Sequence, residues 1–207
     1  MQNSVVSTTA SEYITALAGP SSVPGGGGAA ALCGALGAAL GAMAASLTKG
    51  KKKFAEHAER LEQIQNEMTQ YAAELVALAD ADAEAFAPLA EAYKLPADYP
   101  DRADILERGL NAAAAVPMKL LELSVRALAV QRELLDRCSV LVISDVGVGA
   151  AACRAAAGGA LLNVRANTRL MQNKEAAAQL DEKSRQLARQ AFEQADYIYN
   201  TVVERLG

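Results

Sequence analysis

The sequence contains little of what metal centres and nucleic-acid-binding surfaces need. Among its 207 residues there is one histidine, His57, there is no tryptophan, and aromatic residues make up only 4%. A single histidine excludes a zinc site built from several imidazoles, and we expect no metal. The net charge of −4, without a basic arm or an aromatic RNA-binding motif, argues against a nucleic-acid partner.

Cysteines are few and are not arranged in pairs. Cys33, Cys138 and Cys153 form an odd set without a CxxC motif. This usage is typical of reduced thiols in a cytoplasmic protein rather than of a disulfide framework. The N-terminus, MQNSVVSTTASEY, lacks the basic start and the apolar run of a secretion signal. We therefore expect a cytoplasmic location.

One segment is long and apolar enough to suggest a membrane span. No charged residue lies between Glu12 and Lys49, and the part from 29 to 47 consists mainly of alanine, glycine and leucine. Alanine and glycine partition weakly into lipid, so a helix buried in the protein explains the segment better. One domain of this size cannot easily cover a helix that is apolar on every side. We therefore expect a homodimer and no membrane partner, with a membrane-anchored helical protein as an open alternative.

The chain is predicted to be a single all-α domain over residues 1–207, a self-associating bundle of about five to six helices. Hydrophobic residues make up 52% and are mostly alanine, leucine and valine, which favour closely packed helices. Helices are predicted over 4–18, 29–48, 54–93, 102–136, 144–170 and 174–206. Loops are predicted over 19–28 and 94–104, a turn over 48–53, and a buried connection or helix start over 138–143.

Asp82 is the most informative residue because it stands where the pattern requires an apolar one. Apolar residues recur at steps of three and four along the predicted helix 54–93, at Leu61, Ile64, Met68, Tyr71, Leu75 and Leu78. Asp82 continues this stripe, followed by Ala85 and Leu89. A carboxylate turned toward a core loses water, and its raised pKa suits general acid–base chemistry near neutral pH.

Structural interpretations of the acidic residues remain open. Asp82 could pair with an arginine of another helix, or the stripe could end at Leu78. Asp80 and Glu84 share a different face, one turn apart, and we expect them to form a solvated acidic edge.

The segment Pro24–Gly28 leads directly into the predicted helix 29–48. Glycines allow a ligand to approach the backbone, and a helix N-terminus offers free N–H groups with a partial positive charge. We therefore expect Pro24, Gly25, Gly26 and Gly27 to bind an anionic or hydrogen-bond-accepting group. No GK[ST] follows, so the segment is not a nucleotide-binding P-loop, and a simple flexible turn is the alternative.

Two further groups of polar residues are candidate binding residues. Lys49 and Lys51, with the two lysines after them, follow the apolar helix, where they either complement the helix dipole or recognise a carboxylate-rich tail. Asn163 and Asn167 lie one helical turn apart above a face of small residues, where they either form a hydrogen-bonding wall or bind neighbouring backbone.

Three segments together resemble one family, the formiminotransferase-cyclodeaminase C-terminal domain with its free-standing methenyltetrahydrofolate cyclohydrolases. They are VPGGGGAAALCGALGAALGAMAASLTKGKKKF (23–54), LADADAEAF (78–86) and CSVLVISDVGVGAAACRAAAGGALLNVRANTRL (138–170). The resemblance covers nearly the whole chain. It departs at Gly28, since the family commonly reads PGGGS, and the formiminotransferase portion of the fused enzymes is absent.

The resemblance implies an all-helical, self-associating fold and one-carbon folate chemistry. It places the catalytic aspartate in the second segment, as Asp82 or Asp80, and the helical phase favours Asp82. Ser144 and Asp145, at the start of a predicted helix, are candidate caps and, as part of the third segment, candidate substrate-binding residues. A tetrahydrofolate derivative is the expected substrate, and no other cofactor is expected.

The sequence therefore predicts a methenyltetrahydrofolate cyclohydrolase, a hydrolase that acts on a cyclic amidine. The alternative within the family is a formiminotetrahydrofolate cyclodeaminase, an ammonia-lyase. An alternative of another class is a helical scaffold protein without activity, which predicts a fully salt-bridged Asp82 with no cavity beside it.

Overall fold

The fold of the chain, given by a computed structural model that describes residues 5–207, is all α-helical. Within that range there is no strand. Seven helices follow one another: α1 (Ala10–Leu17), α2 (Gly26–Thr48), α3 (Ala58–Tyr93), α4 (Arg102–Arg132), the single turn α5 (Leu134–Arg137), α6 (Ile143–Thr168) and α7 (Lys174–Leu206). Short 3-10 turns cover Val5–Ser7, Lys52–His57 and Val140–Val142. The predicted all-α class is confirmed.

The apolar helix α2 occupies the centre of the bundle. It packs between α3 and α6, while α4 contacts α3, α6 and α7 on the other side of the core. Glycines let α2 approach its neighbours: a Cβ at Gly37 would collide with Cys153 of α6, and one at Gly34 would lie 3.2 Å from the Cβ of Ala156. Side chains larger than hydrogen would push the two helices apart.

Two helices are long and apolar enough to cross a membrane, α2 and the stretch Val140–Thr168. A core helix of a folded bundle has the same length and composition, and 56% of the apolar window of α2 is buried inside the chain. The burial is incomplete, because one stripe of α2 remains at the surface, with Leu36, Met43 and Leu47 exposed. The expectation that this helix is central is met, and its exposed stripe is apolar.

Three local predictions were wrong. In place of one helix over 4–18, whose first residue lies outside the described range, the structure has the 3-10 turn Val5–Ser7 and then α1 from Ala10. The four glycines do not exclude regular structure, because α2 begins at Gly26 and its first turn consists of Gly26, Gly27 and Gly28. Ser144 and Asp145 do not cap α6, which starts at Ile143 and has Val142 in the N-cap position without a side-chain hydrogen bond.

A capped 3-10 turn precedes α6, and its cap is Ser139 rather than Ser144 or Asp145. The Ser139 hydroxyl accepts a hydrogen bond from the Leu141 amide at 3.4 Å and so caps the 3-10 turn Val140–Val142. That turn passes directly into α6. The stretch 138–143 is therefore a partly buried helical connection, as one of the two open interpretations held.

The buried stripe of α3 follows the predicted phase. Leu61, Ile64, Met68 and Leu75 are fully buried, and Leu89 continues the stripe beyond Asp82. Helix α3 runs through Pro88 and α4 runs through Pro117. A smaller apolar cluster then joins the ends of several helices around Leu89, Leu110 and Met171.

Candidate active site

A cavity of about 190 Å³ opens at the N-terminus of α2. Four helices and one loop meet there, each contributing small or polar residues to the wall. The lining residues are Ser22, Val23, Pro24, Gly25, Gly26, Gly27, Gly28, Ala79, Asp82, Ala83, Phe86, Ala113, Asn163, Ala166 and Asn167. The structure thus joins the three separate sequence segments at one end of the bundle, with the glycine run, the acidic residue and the two amides around one space.

Asp82 is the one charged side chain in the wall of this cavity. Its Oδ2 accepts a hydrogen bond from the Gly28 backbone N–H at 3.1 Å. Within residues 5–207 no lysine, arginine or histidine forms an ion pair with it. Burial raises the pKa of the Asp82 carboxyl, and the Gly28 hydrogen bond lowers it by a smaller amount. The group can therefore take up and release a proton closer to neutral pH than an exposed aspartate.

The glycines of the first turn of α2 make room for this carboxylate. A Cβ at Gly27 would collide with both oxygens of Asp82, so only glycine allows the side chain to lie against the helix end. At Gly26 the situation differs, since a Cβ there would have only the Asn163 amide nitrogen in contact, at 3.9 Å. Gly27 is thus required by the fold of the site, while Gly26 borders open space in the cavity.

The two asparagines form the opposite wall. The Asn163 side-chain N–H group donates to the Gly159 carbonyl at 2.8 Å, and that of Asn167 donates to the Asn163 carbonyl at 2.9 Å. Asn167 also reaches the Ala113 carbonyl of α4 at 3.4 Å. In the described part of the chain no donor bonds to either side-chain oxygen. The pair is therefore anchored to backbone through its nitrogens and leaves two oxygens to accept N–H groups of a ligand.

Several predicted site residues lie elsewhere in this chain. Lys49 and Lys51 follow the far end of α2, about 33 Å from Gly26 at a rise of about 1.5 Å per residue. Lys49 pairs with Glu62 at 3.3 Å. Ser144 and Asp145 occupy the first turn of α6, on the same far side, where the Ser139 amide bonds to the Thr48 hydroxyl at 3.0 Å. Within one chain these four candidate substrate-binding residues therefore lie far from Asp82.

Asp80 is also outside the cavity. Its Oδ1 accepts a hydrogen bond from the Val6 backbone N–H at 3.3 Å, which ties the N-terminal segment to α3. The solvated acidic edge expected for Asp80 and Glu84 is therefore correct only for Glu84, which is exposed, whereas Asp80 is half-buried. Of the two candidate catalytic aspartates, Asp82 alone faces the cavity.

Sequence reasoning missed residues that only packing brings to the site. Phe86 and Ala113 line the cavity, the first one helical turn after Asp82 and the second from the middle of α4. The position of Phe86 one turn from Asp82 was a usable signal, while nothing local marks Ala113.

Among the described residues no three side chains of histidine, cysteine, aspartate or glutamate converge as metal ligands.

The sequence matches the family model described as formiminotransferase-cyclodeaminase over residues 9–186. It is 30% identical to the methenyltetrahydrofolate cyclohydrolase of Methylorubrum extorquens, with 96% of this chain and 98% of that protein covered. It is 34% identical to the formimidoyltransferase-cyclodeaminase of Mus musculus, with 82% of this chain and 32% of that protein covered. The chain thus spans about a third of the length of the mouse and rat relatives.

The fold has a close counterpart among solved structures. The formiminotetrahydrofolate cyclodeaminase of Thermotoga maritima superimposes with a TM-score of 0.90 at 23% identity, with 98% of this chain and 100% of that chain covered. This likeness concerns the helical fold.

We expect Asp82→Asn to raise the unfolding temperature at neutral pH. Because the folded pKa lies above the unfolded one, the folded chain holds a proton between the two values that the unfolded chain has released. Stability therefore falls as the pH rises through this window, and above it the wild type bears a desolvated charge that asparagine lacks.

Thermal unfolding measures this difference in stability at two pH values. One is about pH 7.5, above the ordinary aspartate pKa, and the other is about pH 3.5, near it. The difference between wild type and variant should vanish at the lower pH. Glu84→Gln, an exposed change on the same helix, is the control and should leave the unfolding temperature unchanged. A variant less stable than the wild type at neutral pH would contradict the argument.

Proposed function

The chain belongs to the formiminotransferase-cyclodeaminase family, and from that premise we propose that it is a methenyltetrahydrofolate cyclohydrolase. The reaction converts 5,10-methenyltetrahydrofolate and water into 10-formyltetrahydrofolate. The relative of this name is matched over 98% of its own length and 96% of this chain. The single observation that carries the proposal is the half-buried Asp82 carboxylate at the cavity wall, without a cationic partner in the described chain.

The proposed chemistry needs one group that accepts and returns protons. Water attacks the amidinium carbon between N5 and N10, and Asp82 takes one proton from that water as the C–O bond forms. The tetrahedral intermediate then collapses: the hydroxyl loses its proton, the carbonyl forms, and the C–N5 bond breaks. Asp82 returns its proton to N5, so one proton is released overall. The negative charge of Asp82 also stabilises the cationic methenyl ring.

The other walls of the cavity fit the same substrate class. The side-chain oxygens of Asn163 and Asn167 can accept hydrogen bonds from N–H groups of a pterin ring. The N–H groups and the dipole at the start of α2 favour an electronegative ligand atom near Gly26 and Gly27. The glycine backbone lets a flat ring approach closely at Gly26, where no side chain intervenes.

Cyclodeaminase activity is the second candidate, because the mouse relative at 34% identity carries that name. In this direction N10 attacks the formimino carbon, Asp82 takes the N10 proton, and ammonia leaves after protonation. Both reactions pass through a tetrahedral carbon between N5 and N10. Purified protein incubated in parallel with methenyl- and formimino-tetrahydrofolate, followed by the methenyl absorbance band, distinguishes them: the band decays in a hydrolase and grows in a deaminase.

A scaffold without activity is the less consistent alternative. That interpretation requires a salt-bridged Asp82 and no cavity beside it. In the described residues Asp82 has the Gly28 amide as its hydrogen-bond partner and borders open space. An inactive protein toward both folate substrates would nevertheless favour the scaffold.

Asp82→Asn should lower turnover by about two to four orders of magnitude, the usual contribution of a positioned acid–base group. The substitution keeps the shape of the side chain and an oxygen for the Gly28 N–H, so the fold should survive. Steady-state kinetics of the purified variant measure the loss. Asp80→Asn is the matched control two residues away, outside the cavity, and should retain most activity. Near-normal turnover of Asp82→Asn would exclude Asp82 as the acid–base group.

Gly26→Val should weaken folate binding more than it weakens the fold. The new side chain would project toward the cavity and Asn163. Its Cβ would lie 3.9 Å from the Asn163 amide nitrogen, an ordinary van der Waals distance, so the fold should tolerate it. Fluorescence titration with the substrate and thermal unfolding, measured on the same samples, separate the two effects. Gly158→Ala is the control. Its Cβ would also make only a van der Waals contact, 3.9 Å from the Phe192 ring, and it lies away from the cavity. Equal folate affinity for wild type and Gly26→Val would show that the loop does not contact substrate.

We also propose that the chain is a homodimer in the cytoplasm, with α2 at the interface. The exposed stripe of α2 is apolar, with Leu36 65% and Leu47 51% exposed, and the helix carries no charge of its own. Beside it, a groove of about 610 Å³ between α1, α2 and α3 is lined mainly by apolar side chains. A second copy related by a two-fold axis would cover both surfaces with the same surfaces of its own.

An antiparallel pairing of the two α2 helices has a further consequence for the basic residues. It would bring Lys49 and Lys51 of one chain toward the cavity end of the other. This is the arrangement in which these lysines could reach a carboxylate-bearing part of the substrate.

Light scattering at micromolar concentration should give about twice the chain mass of 21.6 kDa. Leu36→Glu places a charge in the middle of the exposed stripe and should shift the protein toward the monomer. Glu56→Gln, a change at an exposed residue outside the stripe, should not. A wild-type monomer at this concentration would contradict the dimer.

A further inference from the structure

The hydroxyl of Tyr13 is buried without a partner next to the proposed catalytic group. Tyr13 is the one buried residue of α1 and is only 8% exposed. Its hydroxyl oxygen has no hydrogen-bond partner among the described residues. A buried hydroxyl without a partner is costly, and phenylalanine would fill the same space without that cost. We therefore expect the Tyr13 hydroxyl to form a hydrogen bond that is not present in this conformation.

Helix α1, which carries this side chain, is capped at its start. Thr9 and Glu12 form a reciprocal capping box at its start, in which the Glu12 amide donates to the Thr9 hydroxyl at 3.2 Å and the Thr9 amide donates to the Glu12 carboxylate at 2.8 Å. The Tyr13 side chain points from α1 toward the first turn of α2. Tyr13 thus lies on a locally capped helix and is itself buried.

The phenol lies beside the residue that binds Asp82. The Tyr13 oxygen is 3.1 Å from the place where a Cβ of Gly28 would stand, and the Gly28 N–H is the donor to Asp82. Burial raises the pKa of Tyr13, and the charges of Asp82, Cys33 and Asp80 raise it further. At neutral pH the phenol therefore keeps its proton and can act as a donor toward an acceptor.

Gly28 is the residue at which the Tyr13 oxygen and the Asp82 carboxylate meet the same turn of α2. A serine at position 28 would extend its side chain from a Cβ that is already in tight contact with the Tyr13 oxygen. The two hydroxyls would compete for one small space. Gly28 leaves that space to Tyr13, which delivers a hydroxyl to it from another helix.

We propose that Tyr13 is a positioning residue of the active site, whose hydroxyl donates a hydrogen bond to the ionised Asp82 carboxylate. The bond requires one of the two side chains to rotate. Ionisation of Asp82 favours that rotation, because a charged acceptor gains more from a donor than a neutral one. The catalytic part of this inference rests on the proposed function, while the hydrogen bond itself does not.

Tyr13→Phe tests the proposal because it removes only the hydroxyl. We expect kcat to fall about tenfold and KM to change less than twofold. The unfolding temperature should fall slightly at neutral pH, where the variant lacks the hydrogen bond to the ionised Asp82, and should stay equal or rise at about pH 3.5, where Asp82 is protonated. Loss of a donor to the ionised form should move the acid limb of the pH profile of kcat/KM to higher pH. The other titratable groups around the phenol, Asp80 and Cys33, are unchanged in the variant.

Two further variants separate a specific role from a structural one. Tyr71→Phe is the matched control, the same change in a buried tyrosine of α3 about 16 Å along the helix from Asp82, and should leave kcat and the pH profile unchanged. The double variant Tyr13→Phe/Gly28→Ser returns a hydroxyl to the same space from α2. It should recover most of the kcat lost in Tyr13→Phe and restore the pH profile.

A second measurement does not depend on activity. The carboxyl carbon of Asp82, followed by NMR through a pH titration, should titrate at higher pH in Tyr13→Phe than in the wild type or in Tyr71→Phe. An unchanged Asp82 titration in Tyr13→Phe would overturn the proposal whatever the enzyme does. A shifted titration would support the hydrogen bond even in a protein without turnover on either folate.

The kinetic outcomes also distinguish the role of Tyr13 from the proposed function of the protein. Suppose that Tyr13→Phe keeps the wild-type kcat and pH profile while Asp82→Asn is inactive. This result would overturn the role of Tyr13 and leave the proposed function standing. A loss of kcat that the double variant does not recover would overturn the exchange of hydroxyls between positions 13 and 28. Normal turnover in Asp82→Asn would exclude Asp82 as the acid–base group, and a wild type without turnover of either folate would overturn the proposed function itself.

Discussion

The contact between the Asp82 carboxylate and the first turn of α2 determines how the candidate site is built. The carboxylate lies where a side chain of residue 27 would otherwise stand and accepts the Gly28 N–H at 3.1 Å. This contact keeps a half-buried acidic group hydrogen-bonded without giving it a cationic partner. A lysine or arginine in the same place would stabilise the charged form and reduce its capacity to exchange protons.

The close packing of α2 makes that contact possible. Glycines on α2 and α6 bring the two helices together at Gly37 against Cys153 and at Gly159 against Ala30. At the far end of α2, the Thr48 hydroxyl donates to the Ala44 carbonyl at 2.8 Å and accepts the Ser139 amide at 3.0 Å. The Thr48 hydroxyl is thus satisfied within the chain, while at the Gly26 end the helix N-terminus opens into a cavity. This asymmetry of the two ends explains why the cavity lies at one of them.

Much of the fold and part of the site could be predicted from the residues themselves. The repeat from Leu61 to Leu78 gave the buried face of α3 and the phase of Asp82 correctly, because both depend on a helical period that a short segment carries. The glycine run was predicted to let a ligand approach the backbone, and within the chain it is the Asp82 carboxylate that lies against the backbone at Gly27. The first turn of helix in this run was missed, since glycine has low helix propensity and only the packing of α2 against α3 and α6 compensates for it.

The sequence by itself determined where the long helices lie, which face of α3 is buried, and that an acidic residue interrupts its buried stripe. Each of these follows from local periodicity and side-chain chemistry. Only the tertiary structure decided that Asn163 and Asn167 face Asp82, that Lys49, Ser144 and Asp145 lie at the other end of the same chain, and that Tyr13 stands beside Gly28. The physical reason is that a helix about 33 Å long separates the ends of one motif, so membership of a motif does not imply proximity. Which ends meet depends on the directions in which α2, α3 and α6 pack, and no short segment of sequence carries that information.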